Sequence, residues 1–442
     1  MTRLRAHGVR EHIIVVGGSI GGLLAAAALA REGIEITVLE RDPLPDGPLP
    51  HKGVPQSHQV HLLLNGGRVA LDSLLPGFSK ELEAAGSMSG DLCADTRWFH
   101  AGVWKIRYED GRKLLMQTRP FLEWQLRLRI AQIPGICIRS GTAVDELLHD
   151  EGRVHGVRLR SGEVLHGDLI VDARGRGSSL PRVLESWGYG TVPEQQVEVR
   201  LDYVTQRFRP PPDRDVGLSL VVYFLPPDFK RAGIIFQVED GQWQVGLMGY
   251  HGEAPPTDHE GFLGYAKSLL KPDLYEALRD AVPVAPARRL KIPRQQRRRY
   301  GAMPRLPQGI IPFGDAICSL DPVFGQGMSV AAMQAVALRD QVRDHPLEQR
   351  RFLRAADRII AVPWMLTSSE AHRWTETKGY RPVGVRLLHW YVDRVFRHCG
   401  HDRHVYSAFL DVMHLQSPPT RLFEPSVLRR VLGRIPAPEA TS

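Results

Sequence analysis

The sequence has few cysteines and no long hydrophobic run. Four cysteines are scattered over 442 residues and no two form a C-x-x-C pair. This spacing argues against a structural zinc site and fits a reducing compartment. No apolar run approaches the roughly 20 residues that a membrane span needs, and the basic start MTRLRAHGVREH lacks an apolar core of signal-peptide length. These absences predict a cytoplasmic protein without a transmembrane segment.

Acidic residues are outnumbered by basic ones. The chain carries 57 Lys and Arg against 49 Asp and Glu, a net charge of +8, with one basic cluster at ARRLKIPRQQRRRY (287–300). Such a charge could attract nucleic acid, an anionic membrane or an anionic cofactor. Because no recognition helix or RNA-binding signature accompanies the cluster, we interpret it as a solvated basic face and expect no nucleic-acid partner.

The N-terminal segment HIIVVGGSIGGLLAAAALAREGIEITVLE (12–40) divides into a strand, a glycine turn, a helix and a second strand. Gly17 is placed to make the tight turn, and Gly22 lets the helix pack closely on the sheet. Ser19 replaces the middle glycine of G-x-G-x-x-G and is small enough for a pyrophosphate to approach. Glu40, at the end of the second strand, can accept hydrogen bonds from ribose hydroxyls. The whole unit predicts a dinucleotide-binding fold.

Two further strands end in an acidic residue. Residues 136–179 predict a strand, a three-stranded meander and a last strand that ends at Asp172. In GDAICSLDPVFGQGMS (314–329), an apolar strand breaks at Gly314-Asp315 and a helix begins near Gln326. The carboxyl ends of sheet strands are where such folds hold ligands, and a helix start offers free N–H groups and a partial positive charge.

The loop at 50–74 supplies polar residues between these motifs. We interpret Lys52 and Gln59 as contacts to a phosphate or a flavin edge. The histidines His51, His58 and His61 lack the helix spacing and the partner carboxylates of known metal sites, so we expect no metal. Thr118-Arg119-Pro120 then introduces an amphipathic helix, with proline at a helix-start position.

The remaining chain is β-rich and then helical. Residues 191–285 alternate as an antiparallel sheet, and the hairpin 93–118 is expected to join it. Aromatic side chains on these strands could wall an apolar pocket, although each is favoured as plain core; they are Trp98, Phe99, Phe208, Tyr223, Phe224, Phe236 and Trp243. From residue 327 the chain predicts helices that cap the pocket. Their basic, aromatic pattern could also make a peripheral membrane contact, but packing against the body is favoured.

The spaced motifs GGSIGG…E, VDARGRGS and GDAICSLDPVFGQGMS resemble those of the flavin-dependent monooxygenases of the para-hydroxybenzoate hydroxylase type, over about residues 12–430. KGVPQSHQVHLLLNGG and DARGRGS are most similar to the bacterial polyene epoxidases of polyether biosynthesis, with squalene epoxidase a more distant relative. The resemblance implies an α/β fold with an FAD-binding Rossmann-like domain of the glutathione-reductase type, an antiparallel β-sheet substrate domain and C-terminal helices. The expected boundaries are 1–92, 119–190 and 286–345 for the FAD domain, 93–118 and 191–285 for the substrate domain, and 346–442 for the helical region.

The resemblance also implies roles for individual residues. Asp315 would hydrogen-bond the ribityl chain of FAD, the backbone from Gly325 to Met328 would face the pyrimidine end of the isoalloxazine, and Arg119 would contact the flavin side. The motif around Asp172 is linked to both FAD and NAD(P)H, but it reads Asp-Ala-Arg-Gly here, which leaves nicotinamide binding open. The predicted cofactor-binding residues are Gly17, Ser19, Gly22, Glu40, Arg41, Lys52, Arg119, Asp172, Arg174, Asp315, Pro322, Gly325, Gln326, Gly327 and Met328.

The activity implied is that of a monooxygenase in secondary metabolism. NADPH or NADH would reduce FAD, O2 would add at the flavin C4a carbon, and the hydroperoxide would epoxidise or hydroxylate an apolar polyene, isoprenoid, polyketide or aromatic molecule. No catalytic side chain is assigned, since Asp202, Tyr203 and His251 are candidates by position only. The lack of a convincing base favours an alkene over a phenol.

Three alternatives share the fold. A prenyl reductase would hold FAD but consume no oxygen, and a non-redox cyclase would keep FAD as a structural group in a pocket that folds a polyene. A flavin halogenase would want a lysine beside a halide tunnel and a G-W-x-W-x-I-P motif, which the sequence lacks. The substrate, the position oxidised and the oligomeric state are left open.

Overall fold

The structure is a computed structural model that describes residues 11–434. Its strands are β1 Glu11–Val16, β2 Ile34–Leu39, β3 Met88–Asp91, β4 Thr96–His100, β5 Val103–Trp104, β6 Lys113–Met116, β7 Ile136–Arg139, β8 Val144–Asp150, β9 Arg153–Leu159, β10 Val164–His166, β11 Leu169–Asp172, β12 Glu194–Arg209, β13 Ser219–Val222, β14 Arg231–Val238, β15 Gln242–Tyr250, β16 Val282–Pro283, β17 Arg288–Arg298, β18 Ile310–Pro312 and β19 Cys318–Ser319. Its helices are α1 Ile20–Leu29, α2 Asn65–Leu74, α3 Phe78–Ala84, α4 Arg119–Ala131, α5 Leu180–Ser186, α6 His259–Lys267, α7 Asp273–Leu278, α8 Gly327–Asp344, α9 Gln349–Ala371, α10 Val385–His398, α11 Arg403–Met413 and α12 Pro425–Leu432.

A five-stranded parallel sheet forms the centre of the nucleotide-binding part. Its strand order is β18-β11-β1-β2-β7, and β1 pairs with β11 on one side and with β2 on the other. The four residues from Ile13 to Val16 are all buried, as expected for a strand covered on both faces. Helix α1 returns the chain from β1 to β2, so the predicted strand-turn-helix-strand unit is present.

A three-stranded antiparallel meander, in the order β10-β9-β8, lies between β7 and β11 in the chain. Its two turns fall after Asp150 and after Leu159, where the sequence predicts them. The meander carries the chain from one edge of the parallel sheet to β11. Strand β11 therefore ends beside the end of β1.

The second large sheet has nine strands, in the order β19-β17-β12-β15-β14-β13-β4-β5, with β16 also paired to β12. It is antiparallel except where β13 runs parallel to β4. Strand β12 is 16 residues long and contains a bulge between Glu198 and Leu201, where Arg200 has a φ of 44°. A bulge bends and twists a long strand, and here it lies before Val204, the first residue of β12 in the second hydrophobic core.

The hairpin at 93–118 joins this sheet only in part. Strands β4 and β5 are members of it, but β6 pairs with β3 in a separate two-stranded sheet. The expectation that the whole hairpin joins the large sheet is therefore wrong. The cause is β3, a short strand at 88–91 that the sequence analysis did not identify and that supplies β6 with a nearer partner.

The basic cluster at 287–300 is a solvated face only in part, since Arg288, Arg289, Lys291 and Arg294 are exposed. It forms β17, which pairs with β12 along its length, and the last two arginines of β17 are buried. Arg297 Nη2 donates to Asp357 Oδ1 at 2.9 Å, and Arg298 Nη1 donates to the Ala316 carbonyl at 3.2 Å. Strand β17 also belongs to the nine-stranded sheet, although the expected boundaries assign it to the FAD domain. The other expected domain boundaries stay a proposal.

Among the C-terminal helices, α8 packs against α1 and α2, α9 packs against α8 and β12, and α10 to α12 pack against one another. Hydrophobic side chains form two cores: one extends from the parallel sheet to these helices, and a second lies between the nine-stranded sheet and α6 and α7. No helix within residues 11–434 combines the length and the apolar character that crossing a membrane requires.

Candidate active site

The sequence predicts ligand positions at three strand ends, marked by Glu40, Asp172 and Asp315. All three lie at the carboxyl end of the parallel sheet. Val16 at the end of β1 pairs with Asp172 at the end of β11, and Asp172 in turn pairs with Pro312 of β18. Gly17 has a φ of 113°, and a Cβ there would lie 2.5 Å from the Ala173 carbonyl oxygen. Only glycine fits this close approach, so the first turn is built as the motif requires.

Glu40 is buried directly after β2. Its Oε2 accepts a hydrogen bond from the Gly18 N–H at 2.8 Å, and its Oε1 accepts one from the Asp42 N–H at 3.0 Å. Each carboxylate oxygen keeps another lone pair for a ligand. Arg41 and Lys52, the two basic residues predicted to bind cofactor in this region, are exposed at the surface.

Ser19 is tied to helix α4. Its hydroxyl donates to Glu123 Oε2 at 2.6 Å and accepts from Arg119 Nη2 at 3.2 Å. No side chain caps the start of α1, so the first N–H groups of this helix are left for a ligand. Gly22 faces Gly17, where a Cβ would lie 1.7 Å from the Gly17 carbonyl oxygen.

His51 joins two carboxylates that lie far apart in the sequence. Its Nδ1 is 3.1 Å from Asp42 Oδ2, and its Nε2 is 2.8 Å from Glu123 Oε1. Although burial disfavours the charged ring, the bonds to Glu123 and Asp42 raise the pKa of His51 above its ordinary value. The statement that these histidines lack partner carboxylates is therefore wrong for His51. Glu40, Asp42 and His51 lie close enough to hold a metal ion, but both ring nitrogens of His51 are already engaged by carboxylates.

Asp172 shapes the loop that follows β11. The side chain is fully buried, with Oδ1 accepting from Arg174 Nε at 2.9 Å and Oδ2 accepting from the Ser178 hydroxyl at 2.5 Å. The pair of Asp172 and Arg174 thus holds the Asp-Ala-Arg-Gly turn in place. Arg176 extends from this turn and donates through Nε to the Ser319 hydroxyl at 2.8 Å.

Asp315 stands in the cleft among glycines and arginines. A Cβ on Gly175 would come within 3.8 Å of the Asp315 Cβ, and one on Gly327 within 3.8 Å of its Oδ1. Within residues 11–434 its carboxylate has no side-chain hydrogen bond. Burial raises the pKa of Asp315 despite the opposing attraction of Arg119 and Arg176. A carboxylate held in a cradle of glycines with open lone pairs fits the ribityl hydroxyls of FAD.

The loop before α8 provides the second half of that cradle. Pro322–Phe324 forms a 3-10 turn, Gly325 has a φ of 64°, and α8 begins at Gly327 without a side-chain cap. Residues 322–326 line the cavity described below, whereas Met328 is buried in the core. The uncapped start of an 18-residue helix leaves free N–H groups, which stabilise negative charge placed near them.

A cavity of about 210 Å³ lies between this loop, the nine-stranded sheet and the C-terminal helices. Four of the seven aromatic residues named from the sequence line it: Trp98, Tyr223, Phe224 and Phe236. The other three are packed in the second core: Phe99, Phe208 and Trp243. Helix α10 contributes Leu388, Val392 and Phe396 to the wall. An enclosure of this kind excludes water and accepts an apolar molecule.

A buried tyrosine and aspartate stand at the junction of cavity and loop. Tyr250 lines the cavity and donates its hydroxyl to Asp321 Oδ2 at 2.7 Å, while Asp321 Oδ1 accepts from the Val323 N–H at 3.1 Å. Burial raises the pKa of Asp321 to about 6. The sequence analysis missed both residues, because Asp321 precedes a proline like an ordinary turn residue and Tyr250 ends a strand. Their contact could have been predicted only with knowledge of which end of β15 lies beside the 322–326 loop.

One of the three acid-base candidates that the sequence names by position lines the cavity, and two do not. Tyr203 lines the cavity. Asp202 lies 4.0 Å from Lys291 Nζ, and His251 Nε2 is 3.2 Å from the Thr377 hydroxyl; neither lines the cavity. Among the described cavity residues, tyrosines are therefore better placed than either.

The structure also buries a lysine near the cavity. Lys105 donates to the carbonyl oxygens of His100 at 3.1 Å and Phe396 at 2.6 Å. Burial lowers the pKa of Lys105 to about 8. It is not among the residues that line the cavity, and its ammonium group links the end of β4 to α10.

Comparisons with known proteins agree with this geometry. Residues 15–59 match the family described as NAD(P)-binding Rossmann-like domain. Protein Rv3254 of Mycobacterium tuberculosis is 34% identical over 346 residues, which cover 75% of this chain and 72% of that protein. The chain belongs to the family of Protein Rv3254. More distant relatives are zeaxanthin epoxidase of Oryza sativa, 27% identical over 50% of this chain and 33% of that protein, and squalene monooxygenase of Mus musculus, 23% identical over 76% and 55%. The chain spans a third to about half the length of these two epoxidases.

Solved structures show the same fold. The flavin-dependent brominase Bmp2 has a TM-score of 0.66 at 14% identity, covering 91% of this chain and 93% of that chain. PqsL, a probable FAD-dependent monooxygenase from Pseudomonas aeruginosa, has a TM-score of 0.60 at 18% identity, covering 82% and 98%. The Diels-Alderase PyrE3 has a TM-score of 0.62 at 16% identity, covering 91% and 80%. The α/β fold and the resemblance of this Rv3254 family member to flavin-dependent monooxygenases are thereby confirmed, whereas a specific relation to polyene epoxidases is not shown.

Proposed function

We propose that the protein is an FAD-dependent monooxygenase that uses O2 to epoxidise or hydroxylate an apolar small molecule, in secondary metabolism. The observation that carries the proposal is the apolar cavity that opens onto the 322–326 loop beside Asp315. Bound FAD, reduced by a nicotinamide nucleotide, would supply the oxygen-activating chemistry. The scattered free cysteines support the cytoplasm as its location.

The chain's own residues would hold FAD as follows. Glu40 would accept hydrogen bonds from the ribose, and the uncapped start of α1 would receive the pyrophosphate. Ser19 would stay near the pyrophosphate, with Arg119 offsetting the charge of Glu123. Asp315 would accept from the ribityl hydroxyls, and the start of α8 would stabilise negative charge on the ring.

A basic cleft supports a nicotinamide nucleotide as the reductant. The cleft measures about 450 Å³ and is lined by arginines from the turn after β11, from α5 and from β17: Arg176, Arg182, Arg294 and Arg298. None of the described residues that line it is acidic. Arginines of this density suit a pyrophosphate, and Arg176 connects the cleft to the surroundings of Asp315.

The cavity walls would position the substrate and exclude water. Tyr250 could exchange a proton with the substrate while Asp321 accepts or returns one at Oδ2. Because Tyr250 and Asp321 could act as the base, the lack of a base no longer favours an alkene substrate over a phenol. An electron-rich aromatic substrate is therefore as well supported as a polyene or isoprenoid.

A stopped-flow experiment tests the proposal. The purified yellow protein is reduced anaerobically with NADPH and mixed with oxygenated buffer. A transient absorbance phase before the return of oxidised flavin, and one oxygen atom from O2 in the product, are expected. If NADPH fails to reduce a firmly bound FAD, the non-redox cyclase is favoured; reduction without oxygen uptake into product favours the prenyl reductase.

A further inference from the structure

Helix α10 has one apolar face toward the cavity and, in addition, two large apolar side chains exposed to solvent. One face lines the cavity through Leu388, Val392 and Phe396. The outward face exposes Leu387 by 72% and Trp390 by 51%. An ordinary amphipathic helix hides its single apolar stripe against the body and shows a polar face to water, so the outward side chains need another explanation.

The exposed hydrophobic side chains are concentrated in this region. Six of the twelve large hydrophobic residues exposed within the described chain lie between positions 380 and 432: Tyr380, Val383, Leu387, Trp390, Phe423 and Leu432. Phe423 stacks on Tyr391 of α10 at a ring distance of 4.8 Å, and its neighbour Leu422 lines the cavity. The wall of the cavity and the exposed apolar residues therefore belong to the same elements.

Exposed charge in the same region is predominantly positive. Residues 378–434 expose eight basic side chains: Lys378, Arg381, Arg386, Arg397, Arg403, Arg429, Arg430 and Arg434. The one exposed acidic residue there is Glu424, which pairs with Arg421. The aspartates of the region are half-buried and each pairs with an arginine: Asp393, Asp402 and Asp411.

We propose that this C-terminal surface, residues 378–434, docks on a bilayer that contains anionic lipids, and that the cavity takes its apolar substrate from that bilayer. In a helix that lies in the membrane interface, tryptophan, leucine and phenylalanine side chains insert below the headgroups, and arginines bind the anionic headgroups. This surface exposes both kinds of side chain. A second copy of the chain would bring the same excess of basic side chains against this surface. The docking stands on the surface alone, whereas the delivery of substrate rests on the proposed function.

Vesicle binding of the full-length protein tests the docking. Co-sedimentation is measured with vesicles of phosphatidylcholine alone and of phosphatidylcholine mixed with phosphatidylglycerol. We expect binding to the mixed vesicles, weakened by salt, and a blue shift of tryptophan fluorescence that is lost in Trp390→Phe. Two double variants, Leu387→Ser/Trp390→Ser and Arg386→Glu/Arg429→Glu, test the two contributions. Each should bind the mixed vesicles at least about tenfold more weakly than the wild type. Val69→Ser, which changes an exposed valine on α2, is the matched control and should bind like the wild type.

Two results overturn the proposal. One is equal sedimentation with neutral and mixed vesicles that none of the variants changes. The other is self-association in analytical ultracentrifugation that Leu387→Ser abolishes, without vesicle binding, which would make the surface an interface between copies. Because binding is measured without substrate or reductant, it is independent of the stopped-flow result, and failure of either leaves the other readable.

Discussion

At the scale of single residues, Asp315 is a half-buried carboxylate that Arg119 and Arg176 attract without forming a hydrogen bond to it. It lies between Gly175 and Gly327, accepts no side-chain hydrogen bond within residues 11–434, and has a pKa raised by burial. A buried polar group without a partner is costly unless a ligand supplies one. The ribityl hydroxyls of FAD, if bound as proposed, would supply such a partner.

Asp315→Ala should release flavin without destabilising the apoprotein. The variant loses the acceptor for the ribityl hydroxyls but also loses a desolvated charge, so its melting temperature without FAD should not fall. The ratio of flavin to protein absorbance after gel filtration measures the loss. Asp280→Ala, at an exposed aspartate that pairs with Arg214 and Arg279, is the control and should keep its flavin. Full FAD occupancy in Asp315→Ala would contradict the assignment.

Asp321 should make stability depend on pH. Its folded pKa of about 6 lies above the ordinary 3.8, so the folded state binds the proton more tightly, and stability falls as pH rises from about 4 to about 6. Asp321→Asn removes this penalty and should be more stable than the wild type above pH 6, by up to about 3 kcal/mol. Near pH 4 the difference should vanish. Urea unfolding at several pH values measures it, and a constant difference would disagree with a buried carboxyl group.

The sequence predicts Asp315 and Glu40 because strand ends and glycine turns are local patterns. It does not predict Tyr250 and Asp321, which are 71 residues apart and meet through sheet packing. For the same reason it misses the carboxylate partners of His51. Contacts of this kind depend on register between elements, which spacing in one segment does not encode.

At the scale of elements, the loop between β2 and α2 is fixed to α4 by His51. The ring bridges Asp42, next to β2, and Glu123 on α4, and the Gly53 N–H also donates to Asp42 Oδ2. The loop thereby closes over the start of α1, where the pyrophosphate is proposed to bind. Since the bridge depends on a charged imidazole, its strength depends on pH.

His51→Gln should destabilise the protein most at low pH. The raised pKa means that the contribution of His51 is fully present below the ordinary value of 6.5 and is lost as pH rises through the folded value. We expect a loss of about 2 kcal/mol at pH 6 that shrinks toward pH 9. Unfolding free energies at the two pH values measure this, with His401→Gln at an exposed position as control. An equal loss at both pH values would mean that the neutral ring is what matters.

Helices and strands could be predicted where a single local sequence pattern defines them. The βαβ unit and the meander follow from periodicity and turns, and α4 begins at Arg119 with Thr118 accepting from the Phe121 N–H. The burial of the last two arginines of β17 was not predicted, because arginine on a strand looks solvated until a partner strand covers it. The partner, β12, lies about 90 residues earlier, so the burial of Arg297 and Arg298 is a property of the sheet.

At the scale of the whole molecule, β12 joins the two hydrophobic cores. Val197, Val199 and Leu201 belong to the core of the parallel sheet and α8, whereas Val204 and Phe208 belong to the core under α6 and α7. One core cannot lose its packing without releasing a strand of the other. The protein should therefore unfold as one cooperative unit.

Thermal unfolding should give coincident transitions by every probe, and added FAD should raise all of them together. Trp243 is fully buried in the second core, so the difference in fluorescence between the wild type and Trp243→Phe reports that core. FAD at about 100 times its Kd should add about 2.7 kcal/mol. An FAD-independent transition for Trp243 would show that the core under α6 and α7 melts separately.

The position of β18 at one edge of the parallel sheet has a consequence for biosynthesis. The ribosome releases β1, β2, β7 and β11 before residue 173, but their neighbour β18 begins only at Ile310. Until then the outer edge of β11 is an unpaired strand, which is a hazard for aggregation in a nascent chain. Asp315 and α8 emerge later still. The FAD site proposed around Asp315 is therefore complete only after α8, which ends at Asp344, has been translated.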